Sequence, residues 1–192
     1  IPEQIPDTLI FPQRDIPPFP GEKIRGMATA DVNNDTRPDI LIGTDKGNLV
    51  LYNNSGALNI RGGRHRSVNF TDLFFTDIQE TAWGISSADF FFDGFPDFIV
   101  GTESGKVILF NNTNGSLDGR NTTLFKVSAQ AYGLAATDIN NDNRFDIVVG
   151  NKEGHVDVYV NSKLDGSVDN ESFVYLQTLT TRDQPFGVTT GD

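Results

Sequence analysis

The sequence predicts an all-β protein built from repeated four-stranded units. A nine-residue loop that begins and ends with aspartate occurs three times, roughly 50 to 60 residues apart. Each copy is followed by a short apolar run and a glycine-containing turn, and no window carries a helical apolar period of useful length. The copies read DVNNDTRPD at 31–39, DFFFDGFPD at 89–97 and DINNDNRFD at 138–146.

The chain begins with a segment that is unlike the rest. Residues 1–23 contain six prolines, which exclude a helix and a central strand. We therefore expect an extended N-terminal arm with one candidate short strand at 8–11. The remaining residues, 24–192, form the predicted repeat domain.

Each unit contains four predicted strands, and a turn with Gly47, Gly105 or Gly154 joins its second strand to its third. A last strand at 187–190 would begin a fourth unit. The predicted strands are 24–30, 40–42, 49–52 and 68–75 in the first unit, 85–88, 98–100, 107–110 and 124–128 in the second, and 134–137, 147–149, 156–160 and 173–179 in the third.

The first strand of each unit carries small residues such as Ala28, Ala88 and Ala135, which suit the crowded axis of a β-propeller. A β-sandwich is the alternative, but it would not need so regular a motif. We therefore predict antiparallel propeller-type blades, three complete and one begun, which stay open within this chain. Their approximate bounds are 24–80, 81–130, 131–182 and 183–192.

The loops carry the ligand chemistry of a hard cation. Oxygen-bearing side chains recur at positions 1, 3, 5 and 9, and Ca²⁺ takes six to eight oxygens, with a backbone carbonyl usually added at position 7. An EF-hand is excluded, because it needs glutamate at position 12 and these loops have Ile42, Val100 and Val149 there. The candidate ligands are Asp31, Asn33, Asp35, Arg37 and Asp39, then Asp89, Asp93, Phe95 and Asp97, then Asp138, Asn140, Asp142, Arg144 and Asp146, with the position 7 residues contributing carbonyls.

The three loops are not equivalent. At position 6 the third has Asn143, which tolerates a left-handed backbone, whereas the first has the β-branched Thr36. The second has Gly94 there, but Phe91 replaces the ligand at position 3. We expect structural Ca²⁺ to bind best in the third loop and worst in the second. The alternative is a loop that is held by Asx-turn hydrogen bonds without metal.

The residues that lead into each loop complete a recognisable pattern. An aromatic residue and a glycine precede the second and third loops, at Trp83-Gly84 and Tyr132-Gly133, and the pair recurs at Phe186-Gly187. Arg25-Gly26 departs from it. Over 24–192 the pattern resembles the FG-GAP/VCBS repeat of integrin α-subunit propellers and many extracellular proteins. The resemblance implies propeller blades, Ca²⁺ in the loops and an extracellular location, but not one function.

Composition limits the classes of function. The net charge of −11 argues against nucleic acid and anionic membrane surfaces as partners, and the absence of cysteine excludes disulfides and thiol catalysis. No apolar run is long enough to span a bilayer. Neither His65 nor His155 lies in a catalytic motif, and GTESGK at 101–106 lacks the Ser/Thr and the helix of a phosphate-binding loop. We predict no catalytic and no cofactor-binding residues.

N-glycosylation sequons are in excess and favour a location outside the cell or at its surface. We expect Asn53, Asn69, Asn111 and Asn121 to be the most favoured acceptors, and the sequon inside the first loop to be the least. The sequons are at Asn34, Asn53, Asn69, Asn111, Asn114, Asn121 and Asn170.

Together these features predict a non-enzymatic, Ca²⁺-stabilised, glycosylated repeat protein that acts in adhesion or as the protomer of a fibre or ring. Its partners would be other copies of itself, joined through the arm or the strand at 187–190, or further blades of a longer chain. A glycan-binding lectin and an ancillary module of a larger secreted enzyme are the alternatives. No nucleic acid and no membrane insertion are expected.

Overall fold

The computed structural model describes residues 21–58 and 67–190. These residues contain twelve strands and no helix, so none of their elements is a helix that could cross a membrane. The predicted strand at 8–11 lies outside the described residues.

The strands form three sheets of four, each antiparallel and each with its strands in chain order. None of the sheets closes on itself, which confirms the predicted fold class. The first sheet contains β1 Ile24–Ala30, β2 Asp39–Thr44, β3 Asn48–Leu58 and β4 Ser67–Asp77, the second β5 Ala82–Ala88, β6 Asp97–Thr102, β7 Lys106–Thr113 and β8 Ser116–Lys126, and the third β9 Ala131–Thr137, β10 Asp146–Asn151, β11 His155–Asn161 and β12 Phe173–Thr180.

The glycine turns between second and third strands adopt the predicted backbone. Gly47, Gly105 and Gly154 have φ values of 94°, 84° and 84°, a region that other residues rarely enter. In the first turn the hydroxyl of Thr44 also accepts the N–H of Asn48 at 3.1 Å. These turns set the register of each central hairpin.

β8 begins at residue 116, earlier than the expected 124. Asn114 and Gly115 both have positive φ, 53° and 78°, and close a tight hairpin in which Asn112 pairs with Leu117. The sequence from 116 to 123 is mostly polar, so hydrophobic patterning gave no signal for this part of the strand.

The second sheet is packed between the other two. Phe98 and Val100 on one face of β6 join a buried cluster with Leu41 of the first sheet. Ile99, on the opposite face, joins a second cluster that includes Ile147 of the third sheet. All six residues of β6 are buried, as expected for a strand that is covered on both faces.

The first strands of the three sheets, β1, β5 and β9, are the innermost strands, and they approach one another closely at glycines. A Cβ added to Gly26 of β1 would lie 2.4 Å from the Trp83 carbonyl oxygen, and one added to Gly84 of β5 would lie 2.8 Å from that of Tyr132. A Cβ on Gly133 of β9 would lie 2.8 Å from the N atom of Val188. The end of the described chain therefore packs on β9 much as β9 packs on β5.

The predicted strand at 187–190 is not formed. Residues 181–190 contain no strand, although Val188 packs against the buried cluster of the third sheet. A strand needs a neighbouring strand for its ladder of hydrogen bonds, and none of the described strands pairs with residues 187–190. The sequence predicted that this segment has no partner within the described chain, but not that it would therefore lack strand structure.

A row of side chains crosses the sheets at the lead-in positions. The rings of Trp83 and Tyr132 have centroids 4.7 Å apart, and Tyr132 stacks on Phe186 at 4.9 Å. Arg25, which departs from the aromatic pattern, places its guanidinium 4.7 Å from the Trp83 ring centroid. Arg25 therefore continues the row of contacts in place of an aromatic residue, because a cation is attracted to the face of an aromatic ring.

Candidate functional site

The three aspartate loops share one hydrogen-bonded frame, with the position 1 carboxylate at its centre. In the first loop Asp31 accepts the N–H groups of Asp35 and Thr36, at 2.9 and 2.6 Å. Asp138 and Asp89 accept the equivalent pairs in the third and second loops, at 2.7 to 3.0 Å. Each loop is thus folded around its first aspartate by the chain itself.

Positions 4 and 6 of every loop have a left-handed backbone. Position 6 was expected to need it, and Thr36 adopts a φ of 68° despite its β-branched side chain. Position 4 was not anticipated, and there the second loop holds Phe92 at 56°. The two positions are Asn34 and Thr36, Phe92 and Gly94, and Asn141 and Asn143.

The carboxylates at position 9 anchor the loops to the sheets. Asp39 is fully buried, and its two oxygens accept the N–H groups of Val32 and Asn54, at 3.0 and 2.7 Å. Asp97 and Asp146 make the same pair of bonds in the other two loops. Each of these carboxylates therefore ties position 2 of its loop to the third strand of its sheet, and their expected role as metal ligands stays a prediction.

Burial disfavours the charged form of Asp97 and Asp146, the position 9 carboxylates of the second and third loops. It raises the pKa of Asp97 to about 7, against the lowering effect of the N–H groups of Asn112 and Phe90. The nearby carboxylates Asp93 and Asp89 raise that pKa further. Burial also raises the pKa of Asp146.

Position 7 contributes a side chain that the sequence analysis overlooked. Arg37 donates from Nε to the carbonyl of Asn54 at 2.9 Å and from Nη2 to Asp35 Oδ2 at 2.5 Å. Arg144 makes the same two bonds, at the same distances, to Asn161 and Asp142. The first and third loops therefore pair their position 5 carboxylate with an arginine of the chain.

The second loop has no such pair, because Phe95 stands at position 7. The carboxylate of Asp93 accepts the N–H of Phe95 at 3.0 Å, and no ion pair forms with it among the described residues. Phe91 also removes the oxygen at position 3.

The first and third loops hold oxygens of the type that Ca²⁺ requires. Among residues 21–58 and 67–190, no three Asp, Glu, His or Cys side chains are grouped closely enough to form a metal site by themselves. Each of these two loops adds an Asn oxygen at position 3, and a carboxylate oxygen that accepts one N–H keeps a further lone pair. Their donor chemistry fits Ca²⁺, whereas the second loop offers fewer such oxygens because Phe91 stands at position 3.

The sequons differ in accessibility. Asn53 was expected to be a favoured acceptor, but it lies within β3 and is only 7% exposed, so it has no room for a glycan. Asn111 is half-buried, and its side-chain oxygen accepts the Thr113 hydroxyl at 3.3 Å. The side chain of Asn69 lies outside the described residues. The exposed sequon residues are Asn34, Asn114, Asn121 and Asn170.

The GTESGK segment forms the hairpin between β6 and β7, in line with its rejection as a phosphate-binding loop. Lys106 lies 2.7 Å from Glu80, whose carboxylate also accepts the N–H of Ser104 at 2.9 Å. Burial alone would raise the pKa of Glu80, but the hydrogen bonds from Lys106 and Ser104 outweigh it and lower that pKa to about 2. This ion pair links the end of the first sheet to the second.

Comparison with protein families identifies a repeat. Residues 89–149, from the start of the second loop into β10, match the family described as FG-GAP-like repeat. Comparison with curated proteins gave no match. The match covers the middle of the chain and agrees with the resemblance that the sequence suggested.

Two of the solved structures compared share the fold. A crystal structure of BBS1N in complex with ARL6DN, soaked with mercury, has a TM-score of 0.51 and 16% identity, over 86% of this chain and 42% of that one. A lead-soaked form gives the same score and identity over 91% and 44%. An active polycomb repressive complex 2 in the basal state scores 0.47 at 13% identity, over 72% and 30%. The chain thus spans less than half of each.

The repeat and the fold together define a module of β-propeller-type blades. At these identities the likeness to solved structures concerns the fold alone.

Proposed function

We propose that this chain is a non-enzymatic β-propeller module that acts outside the cell, in adhesion or in a structural assembly, by packing a further blade against its third sheet. The observation that carries the proposal is the outer side of that sheet. Three apolar residues of β12 are more than half exposed, namely Val174, Leu176 and Leu179. Tyr175 is equally exposed but pairs with Tyr159 on the face towards the second sheet, where Tyr159 stacks on Phe125.

The second sheet shows what happens when a further blade is present. Its outermost strand, β8, carries Leu124, which is 2% exposed and belongs to the cluster shared with the third sheet. In β12 only the first residue, Phe173, is buried. A fourth blade, from another copy or from a longer chain, would cover this apolar surface and remove it from water.

The groove along the innermost strands supports a non-catalytic role. It is lined by apolar and hydroxyl side chains, and none of its lining residues is titratable. A reaction centre would need an acid, a base or an activated nucleophile there.

Calcium and glycans belong to the same proposal. Asp31, Asn33 and Asp35, and Asp138, Asn140 and Asp142 in the third loop, would hold Ca²⁺, which would neutralise these carboxylates and stabilise the loops. Exposed sequons and the FG-GAP-like repeat, typical of extracellular and surface proteins, support a location outside the cell.

Sedimentation equilibrium of the full chain tests whether another copy supplies the blade. We expect association that increases with protein concentration and is weakened when Val174 and Leu176 are both replaced by aspartate, because buried charge opposes the contact. Leu164→Asp is the matched control, since Leu164 is exposed in the loop before β12 and lies outside that strand. A single monomeric species at every concentration would contradict assembly between copies.

A further inference from the structure

The second loop presents an aromatic ring where the other loops present asparagine. Position 4 is Asn34 in the first loop and Asn141 in the third, and both adopt the left-handed backbone that asparagine tolerates. Phe92 adopts the same conformation, with a φ of 56°, and is 54% exposed. A bulky residue is an outlier in this region, so the loop carries backbone strain and exposes a ring at the same position.

The exposed ring is fixed in place by its neighbours. Phe92 stacks on Phe145 of the third loop, with centroids 6.1 Å apart and planes inclined by 18°. Phe145 in turn contacts the buried Phe90 edge-on at 5.9 Å. We call Phe92 and Phe145 the aromatic platform, which bridges the second and third loops. A fixed ring can bind a ligand without first losing rotational freedom.

The residue next to Phe92 in the chain is a carboxylate that forms no ion pair within the described residues. Asp93 follows Phe92, is exposed, and bonds to the N–H of Phe95. Asp35 and Asp142, at the same position of the other loops, each hold an arginine guanidinium at 2.5 Å. The whole chain has a net charge of −11, so its surroundings also favour a cationic partner.

The chain uses both kinds of contact to hold its own arginines. Arg25 lies over the ring of Trp83, and Arg37 and Arg144 bind position 5 carboxylates. We propose that the second loop is a docking site for an arginine-bearing segment of a partner protein, whose guanidinium binds the Asp93 carboxylate and the Phe92 ring. Arginine fits better than lysine, because its planar guanidinium can stack on a ring and pair with a carboxylate.

This site is separate from the β12 surface and does not depend on it. Fluorescence anisotropy of a labelled peptide of alternating arginine and glycine tests the proposed docking site. The buffer contains EDTA, so that no metal ion bridges the protein and the peptide. We expect saturable binding to the full chain, weaker binding of the lysine version and no binding of the glutamine version. Phe92→Asn and Asp93→Asn should each weaken arginine-peptide binding about tenfold.

Controls separate docking from charge and from unfolding. Phe92→Asn relieves the backbone strain, so its melting temperature should equal or exceed that of the unaltered chain. Asp183→Asn removes one exposed charge elsewhere, and Tyr175→Asn removes an exposed ring from β12, so both should bind the peptide normally. Equal binding by all variants, equal affinity for the lysine peptide, or no saturation would overturn the proposal. Phe92-dependent binding of neutral oligosaccharides instead of the peptide would overturn it in favour of a glycan site.

Discussion

Replacing Gly84 with alanine should separate the second and third sheets. The added Cβ would lie 2.8 Å from the carbonyl oxygen of Tyr132 and 3.1 Å from the N atom of Leu134. Both are backbone atoms of β9, which is paired with β10 and cannot rotate away as a side chain could. Relief therefore requires one sheet to move relative to the other.

The expected loss follows from two opposing effects. Alanine restricts the unfolded chain and would add about 0.4–1 kcal/mol of stability if it fitted. Overpacking costs about 1–3 kcal/mol, and the upper end applies when the obstacle is backbone. We expect a net loss of about 2 kcal/mol, which corresponds to a melting temperature about 4–8 °C lower for a domain of this size.

Two matched variants make the calorimetric test specific. Gly133→Ala would place its Cβ 2.8 Å from the N atom of Val188, and Val188 lies in a segment outside any strand. Gly133→Ala should therefore lower the free energy of unfolding less than Gly84→Ala does. Gly187→Ala has no atom within 4 Å of its Cβ and should be neutral or slightly stabilising. A melting temperature of Gly84→Ala as high as that of Gly187→Ala would contradict the close approach of the second and third sheets.

Three further predictions concern the loops, acid stability and glycans. EDTA should lower the melting temperature, because Ca²⁺ at 100-fold excess over its Kd stabilises the folded state by about 2.7 kcal/mol. Calorimetric titration with Ca²⁺ should show a larger loss of Ca²⁺ binding for Asp142→Ala than for Asp93→Ala. Equal losses would contradict the ranking of the loops. The pKa of Glu80 in the folded chain is about 2, below its usual 4.5, so its contribution to the free energy of unfolding should be complete above pH 4.5 and lost as the pH falls towards 2. Glu80→Gln should therefore weaken the pH dependence of the unfolding free energy, measured by urea denaturation, over that range. An unchanged pH dependence would contradict the ion pair. Peptide mass spectrometry of naturally produced protein should find hexose on exposed Asn170 and none on buried Asn53, and the reverse pattern would refute the accessibility argument.

The repeating fold could be predicted because its signals are local. Aspartate at the start of each loop and glycine in each hairpin fix backbone geometry within a few residues, as Asp31 and Gly47 show. The polar first half of β8 could not be predicted, because its pairing depends on the hairpin at Asn114 and not on hydrophobicity.

The site was harder to predict, because spacing identifies donors without identifying their partners. Asp39 has the position of a calcium ligand, but only the folded chain brings the N–H of Asn54 to it. Arg37 was considered only for its carbonyl, although its guanidinium is what reaches Asp35. Similarly, a sequon such as that of Asn53 carries no information on burial.

Hydrogen exchange of backbone amides, measured by mass spectrometry at low and high protein concentration, tests the stacked arrangement most directly. β6 is buried on both faces and should exchange most slowly, whereas β12 should exchange fastest of the third-sheet strands in dilute solution. High concentration should slow the exchange of β12 if another copy covers it. Exchange of β12 as slow as that of β6 in dilute solution, with no effect of concentration, would contradict an open third sheet that accepts a further blade.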